Sequence, residues 1–147
     1  MKKIVLLCLL GISLIANEII TKESMCSVDK TMQNIKGMVE ARGLKIFAII
    51  NHQENADLAS LKMPESQLII FGNPKLGTSF MLEEMQTGLD LPMKILVYKD
   101  KDSKVKIAYR DGTWLVKEHN LPISFEESKI NKAMGKITDK AGICTQD

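Results

Sequence analysis

Two histidines are the residues of this chain best suited to bind a metal or haem. His52 follows an apolar run, and His119 follows a short stretch of helical character. Neutral imidazoles can ligate haem iron, copper or zinc, but no CxxCH, HExxH or CxxC pattern accompanies them. A lone histidine at a strand end is more often a hydrogen-bonding surface residue. We therefore keep His52, and His119 after it, only as weak candidates for a metal, and the cofactor is left unknown.

A second candidate site lies in the segment from Gln67 to Ser79, QLIIFGNPKLGTS. Gly72 permits close backbone approach or a positive φ, Asn73 tolerates the left-handed region, and Pro74 fixes the exit direction. Because free amides at a helix start attract anions, we predict a small anionic or polar ligand between a helix start near Ser79 and His52. The alternative is a stiff turn whose polar groups satisfy one another. The candidate ligand-binding residues are His52, Phe71, Gly72, Asn73, Pro74, Gly77, Thr78 and Asp90.

An enzyme would need a nucleophile or an acid–base pair, and the sequence links no such residues. The titratable candidates are His52, Glu54, Asp57, Asp90 and Tyr98. No serine elbow, Walker loop or dinucleotide fingerprint is present. The alternative for Asp90 is that it orders its own LDLP loop through an Asx turn. We assign no catalytic residue, and an enzyme with an unrecognised site stays a separate hypothesis.

The N-terminus predicts export. Residues 1–16 combine a short basic start with an apolar run that is too short to span a bilayer comfortably, as in a signal peptide. The alternative is an uncleaved anchor. Without the leader the chain has 18 basic and 18 acidic residues, so its charge does not indicate nucleic-acid binding. We expect a periplasmic or secreted protein with no membrane association after cleavage.

Cys26 and Cys144 lie near the two ends of the mature chain. In an oxidising compartment they could form a disulfide that closes a loop of more than a hundred residues. The alternative is two thiols that never meet, and the sequence leaves both open.

The remaining pattern predicts one α+β domain over residues 27–147, with residues 17–26 as an arm or a first strand. Ser27 precedes residues at helical spacing, Gly43 closes that helix, and Asp111 and Ser124 begin two further helices. Apolar runs between the helices predict strands, and MKILVY and KVKIAY form a hairpin. We expect a two-layer sandwich in which helices cover one face of a largely antiparallel sheet.

The chain also resembles a known family. The runs from Ile69 to Pro74, Gly77-Thr78, Gly88 to Pro92, and Lys94 to Val97 are similar to the signature of the domain of unknown function 302 family. The resemblance implies an α+β fold compared with that of the TATA-binding protein, a homodimer, and no established activity. We therefore expect a homodimeric module that binds a small ligand or a partner. A haem- or metal-associated redox accessory protein is the alternative.

Overall fold

The structure is a computed structural model and describes residues 18–122 and 125–144. The predicted leader at residues 1–16 and the helix cap at Ser124 lie outside the described residues. The elements are β1 (Ile20–Ser24), α1 (Val28–Glu40), β2 (Lys45–Asn51), α2 (His52–Leu58), β3 (Ser66–Gly72), α3 (Pro74–Glu83), a 3₁₀ helix (Met85–Leu89), β4 (Met93–Lys99), β5 (Val105–Tyr109), α4 (Gly112–Glu118) and α5 (Phe125–Ala141).

The five strands form one sheet in the order β1-β5-β4-β3-β2, with every neighbouring pair antiparallel. This confirms the predicted α+β class and the hairpin of β4 and β5. Of the two alternatives for residues 17–26, the structure contains the strand, because β1 pairs with β5 at the edge of the same sheet.

Local sequence explains where the helices begin and end. The Ser27 side chain accepts a hydrogen bond from the Lys30 amide, and the Asp111 side chain accepts one from the Trp114 amide, so both predicted N-caps are present. Gly43 has a φ of 65°, the left-handed conformation that glycine adopts without a steric penalty. The chain can therefore reverse into β2 soon after α1 ends.

One face of the sheet is covered by α1 and α5. Alternate residues of β3, β4 and β5 point into this layer, where Ile69, Ile95 and Ile107 are fully buried. Ile35 of α1 and Ile137 of α5 are also fully buried in the same core. On the other face, half-buried aliphatic side chains from four strands lie side by side; we call this surface the open face. It includes Ala48, Ile50, Leu68, Ile70, Leu96 and Ala108.

A disulfide joins the two ends of the described chain. Cys26 precedes α1 and Cys144 follows α5, and their Cα atoms are 5.4 Å apart. The Asn34 side chain donates a hydrogen bond to the Ala141 carbonyl at 3.0 Å, beside this bridge. The covalent bond therefore fastens the C-terminal helix to α1 and to the end of β1.

Candidate functional site

Antiparallel pairing gathers several strand ends at one edge of the molecule. The register pairs Lys45 with Gly72, Phe71 with Met93, and Tyr109 with Ile20. The start of β2 and β4 and the end of β3 and β5 therefore lie together; we call this the cavity end. The candidate residues from Gly72 to Thr78 and the segment from Leu89 to Pro92 are all at this end.

The helix at this end begins earlier than the sequence indicated. It starts at Pro74, and Asn73 is its N-cap, with a side-chain oxygen that accepts hydrogen bonds from the amides of Lys75 and Leu76. Thr78 thus lies in the second turn of α3, and the Gly77 amide donates to the Asn73 carbonyl at 2.9 Å. The prediction of a helix start near Ser79 with free amides for an anion was wrong, because Asn73 already satisfies the first amides.

The backbone of this corner is also ordinary. Gly72 is the last residue of β3, and Asn73 has a φ of −102°, so neither residue takes the left-handed conformation that the sequence permitted. Pro74 is the first helical residue, where its missing amide costs nothing. Of the two alternatives for the corner, its local geometry matches the stiff turn whose polar groups satisfy one another.

An apolar cavity of about 240 Å³ nevertheless lies against the corner. Gly72, Asn73, Pro74, Gly77 and Thr78 line it, whereas Phe71 is 2% exposed and belongs to the core. The remaining wall is aliphatic and aromatic, so this corner cavity does not carry the charge that an anion would need. Its other lining residues are Phe47, Leu76, Phe80, Met81, Leu91, Pro92, Met93 and Ile130.

His52 lies at the opposite end of the sheet from the corner. It is the first residue of α2, directly after Asn51, which pairs with Gln67 at the start of β3. Since β3 rises about 3.3 Å per residue, roughly 17–20 Å separate this end from Gly72. Within a single chain, one small ligand therefore cannot contact both His52 and the start of α3, because β2 pairs with β3.

His119, in contrast, lies at the cavity end. Its Nε2 is 2.8 Å from Oδ2 of Asp90, and the two side chains are 9% and 29% exposed. The Asp90 side chain thus makes a contact that spans 29 residues of sequence. The two histidines are at opposite ends of the sheet and cannot ligate one ion within a single chain. Within residues 18–122 and 125–144, no group of three or more His, Cys, Asp or Glu side chains could hold a metal.

The remaining titratable candidates do not join a site. Asp57 forms an exposed ion pair with Lys62, and Tyr98 pairs with Ser66 at the end of the sheet away from the cavities. Glu54 donates its backbone amide to the Asn51 cap of α2. Of the five candidates for acid–base chemistry, only Asp90 lies at the cavity end.

A second and larger cavity, of about 330 Å³, adjoins Asp90. We call it the main cavity. Its wall includes Leu68, Leu96 and Ala108 of the open face, and Met93 is in the wall of both cavities. Most of its wall is apolar, and three charged side chains are part of it. It is lined by Ile19, Leu68, Leu89, Asp90, Met93, Lys94, Leu96, Ala108, Tyr109, Arg110, Trp114 and Leu115.

Lys94 is the half-buried charged residue in this wall. Its Nζ donates hydrogen bonds to the carbonyl oxygens of Asp90 at 2.8 Å and of Pro92 at 3.0 Å. Burial lowers the pKa of the Lys94 amine below its usual value; the Asp90 charge opposes this shift and the Arg110 charge adds to it. A lysine inside the otherwise apolar strand MKILVY is the sequence feature that indicates this role.

Arg110 provides the second cation of the main cavity. Its Cζ lies 4.4 Å from the centroid of the Trp114 ring, and the Trp114 indole N–H donates to Glu18 at 2.8 Å. A guanidinium that stacks through its flat face keeps its in-plane N–H groups available for a carboxylate. The cavity thus combines an aliphatic floor, an aromatic side and two cations.

Comparison with known proteins identifies the family. Residues 20–141 match the family described as "Domain of unknown function DUF302". The chain belongs to this family. The DUF302 domain is also similar to a crystal structure of an uncharacterized conserved DUF302 protein from Bacillus stearothermophilus, with a TM-score of 0.75 and 20% identity. That match covers 86% of this chain and 99% of the other, and it shows the same fold. The predicted family is confirmed.

Curated relatives carry the same region within longer proteins. "Fluoride-specific ion channel FluC 1" of Brucella suis biovar 1 (strain 1330) is 36% identical over 112 residues, which are 76% of this chain and 44% of that protein. The protein of the same name from Brucella abortus biovar 1 (strain 9-941) is also 36% identical over 112 residues, 42% of its length. The chain spans less than half the length of these relatives. In the part of the chain that the structure describes, the helices are too short or too polar to cross a membrane.

Proposed function

We propose that this DUF302 domain is an exported binding protein that holds a small amphipathic carboxylate in the main cavity. The observation that carries the proposal is the pairing of an apolar wall with Lys94 and Arg110 in one cavity of about 330 Å³. Small-molecule sites are typically concave and mostly apolar, with a few polar groups that fix orientation. An aliphatic tail would lie against Leu68, Leu96 and Ala108, and the carboxylate would meet Arg110.

Titration with 4-methylpentanoate by calorimetry tests this proposal. We expect saturable binding, and about tenfold weaker binding for Arg110→Gln, because a charge-assisted hydrogen bond is lost. Lys104→Gln is the control, since Lys104 is an exposed lysine beyond the far end of the sheet. Equal affinity in both variants would contradict the assigned site.

A second pair of variants tests the apolar wall. Ala108→Leu would fill part of the cavity floor and weaken binding. Thr21→Leu is the matched control, because Thr21 is the cross-strand neighbour of Ala108 on the same face but is exposed and does not line the cavity. If both substitutions weaken binding equally, the ligand occupies another place.

The proposed compartment is the periplasm or the extracellular space. The predicted leader supports export, and the Cys26–Cys144 disulfide supports an oxidising compartment, where such bonds persist. Fractionation of the native host, followed by intact mass measurement, tests both the location and the cleavage. A full-length chain in the cytoplasm with reduced cysteines would contradict the proposal.

The DUF302 domain is further proposed to act as a homodimer through its open face. The resemblance described above implies homodimers, and the open face presents aliphatic side chains on four neighbouring strands. A second copy packed there would also add a wall to the main cavity. Native mass spectrometry should show a dimer that Ile70→Lys converts to a monomer, whereas Leu58→Lys, on exposed α2, leaves the dimer intact. A monomer at all concentrations would contradict this assignment.

A second candidate function is an accessory role in fluoride transport. It is favoured by the 36% identity to proteins named as fluoride-specific ion channels. Fluoride is small and strongly hydrated, and apolar walls cannot replace its water. We therefore expect no saturable fluoride binding at the main cavity in amide NMR titrations. Saturable shifts at Lys94 and Arg110 with fluoride, but not with 4-methylpentanoate, would favour this second candidate.

A further inference from the structure

Lys94 lines the main cavity and donates its hydrogen bonds to the segment that precedes its strand. Both of its bonds go to neutral backbone carbonyls, those of Asp90 and Pro92, rather than to a carboxylate. Lys106, on the neighbouring strand and the same face, is instead 2.8 Å from a carboxylate oxygen of Glu23. The two lysines share a face of the sheet but differ in their surroundings.

Two acceptors equal in number the N–H groups of the neutral Lys94 amine. A neutral primary amine has two N–H groups and one lone pair, whereas an ammonium has three N–H donors and no lone pair. In that neutral form, with both N–H groups directed at the carbonyls, the lone pair would be available to a molecule in the cavity. Lysines in apolar pockets, or beside another cation, are the ones that act as nucleophiles toward carbonyl compounds.

We propose that Lys94 captures small 2-oxo acids as an imine in the main cavity. The inference rests on the proposed function and specifies its ligand class. A 2-oxo acid matches the site because its carboxylate would bind Arg110, its side chain would contact Leu96 and Ala108, and its ketone would meet Lys94 Nζ. Small aldehydes that lack the carboxylate would react more weakly.

The chemistry needs only the carbonyl compound. The Lys94 lone pair forms a C–N bond to the ketone carbon, and the carbonyl oxygen gains a proton to give a carbinolamine. The C–O bond then breaks and that oxygen leaves as water. In the overall reaction the two hydrogens of this water come from the amine. A C=N bond remains. The reaction is reversible and involves no change of oxidation state.

Reductive trapping tests the proposal on the disulfide-bonded mature chain. The protein is incubated with 4-methyl-2-oxopentanoate and sodium cyanoborohydride, which reduces the imine but spares disulfides, and the adduct is located by peptide mass spectrometry. We expect at least tenfold more labelling at Lys94 than at any other lysine. Lys94→Arg should abolish this adduct, and Lys106→Arg, the matched control on the same face, should retain it.

The outcomes separate this inference from the proposed function. Labelling spread over exposed lysines such as Lys30 and Lys36 would overturn it. If Lys94 is unlabelled but the protein still binds 4-methylpentanoate, the imine is overturned and the binding cavity stays in place. If Lys94 is unlabelled and the protein does not bind 4-methylpentanoate, the imine and the proposed function are both overturned. Because the mapping is performed on the wild-type chain, the test holds even if Lys94→Arg does not fold.

Discussion

Lys94 differs from Lys106 at the scale of single residues because the two amines have different neighbours. A hydrogen bond to Glu23 raises the pKa of Lys106, whereas burial lowers the pKa of Lys94. A group whose pKa is lower in the folded state binds fewer protons there than in the unfolded chain. The folded state is therefore penalised below the lowered pKa, and the penalty disappears as pH rises toward the unfolded value.

Lys94→Met tests this linkage. Methionine has a similar length but no charge, so the wild-type protein should gain unfolding free energy relative to the variant as pH rises from 7 toward about 10.5. Urea unfolding at several pH values measures the difference. Lys106→Met should show the reverse trend over the alkaline range, because the raised pKa of Lys106 stabilises the folded state only while the amine is charged. A pH-independent difference for Lys94→Met would contradict the lowered pKa.

The contact between Asp90 and His119 is the second feature at the residue scale. His119→Leu removes the partner of a mostly buried carboxylate, and we expect a loss of about 1–3 kcal/mol in unfolding free energy. His52→Leu is the control, because this half-exposed histidine at the other end of the sheet should change stability by no more than about 0.5 kcal/mol. Urea unfolding of both variants measures this, and equal losses would show that the Asp90 contact adds nothing.

At the scale of elements, the corner between β3 and α3 is a helix cap. The Asn73 side chain satisfies two amides of the first turn, and Pro74 supplies a fixed φ at the first helical position. These two residues set the direction in which α3 leaves the sheet. The same direction places Phe80 in the core and leaves the corner cavity beside Pro92.

Asn73→Ala should therefore cost about 1 kcal/mol of unfolding free energy. Asn55→Ala provides the control, since Asn55 is exposed within α2 and alanine has the higher helix propensity, so no loss is expected there. Thermal unfolding of the two variants gives the comparison. If Asn73→Ala is as stable as the wild-type protein, the cap is not what holds this corner.

At the scale of the whole molecule, the disulfide joins segments that are 118 residues apart. In the chain-entropy model a closed loop of this length is worth about 5 kcal/mol, because it restricts the unfolded chain. The bridge also holds the end of α5 against the segment that leads into α1. Its contribution is thus larger than that of any single contact at the cavity end.

Replacing both cysteines, as Cys26→Ala with Cys144→Ala, should lower the unfolding free energy by about 2–5 kcal/mol. Wild-type protein treated with a reductant should lose a similar amount, whereas the double variant should not respond to the reductant. Urea unfolding with and without reductant measures all four states. Wild-type stability that is insensitive to reduction would contradict the bridge.

The sequence alone determined the local features of this protein. Ser27, Gly43 and Asp111 mark helix ends through bonds within a few residues, and the alternation of apolar residues in KVKIAY predicts a strand with one buried face. Four short runs between Ile69 and Val97 indicated the family. Such features depend on neighbours in sequence, so a pattern of residues can reveal them.

Only the tertiary structure decided which end of the sheet holds the candidate site. The antiparallel pairing of β2 with β3 separates His52 from the corner, and the path of α4 brings His119 to Asp90 across 29 residues. The environment of Lys94 likewise depends on Arg110, the residue that follows β5. Distances between residues far apart in sequence follow from strand order and register, which local patterns do not specify.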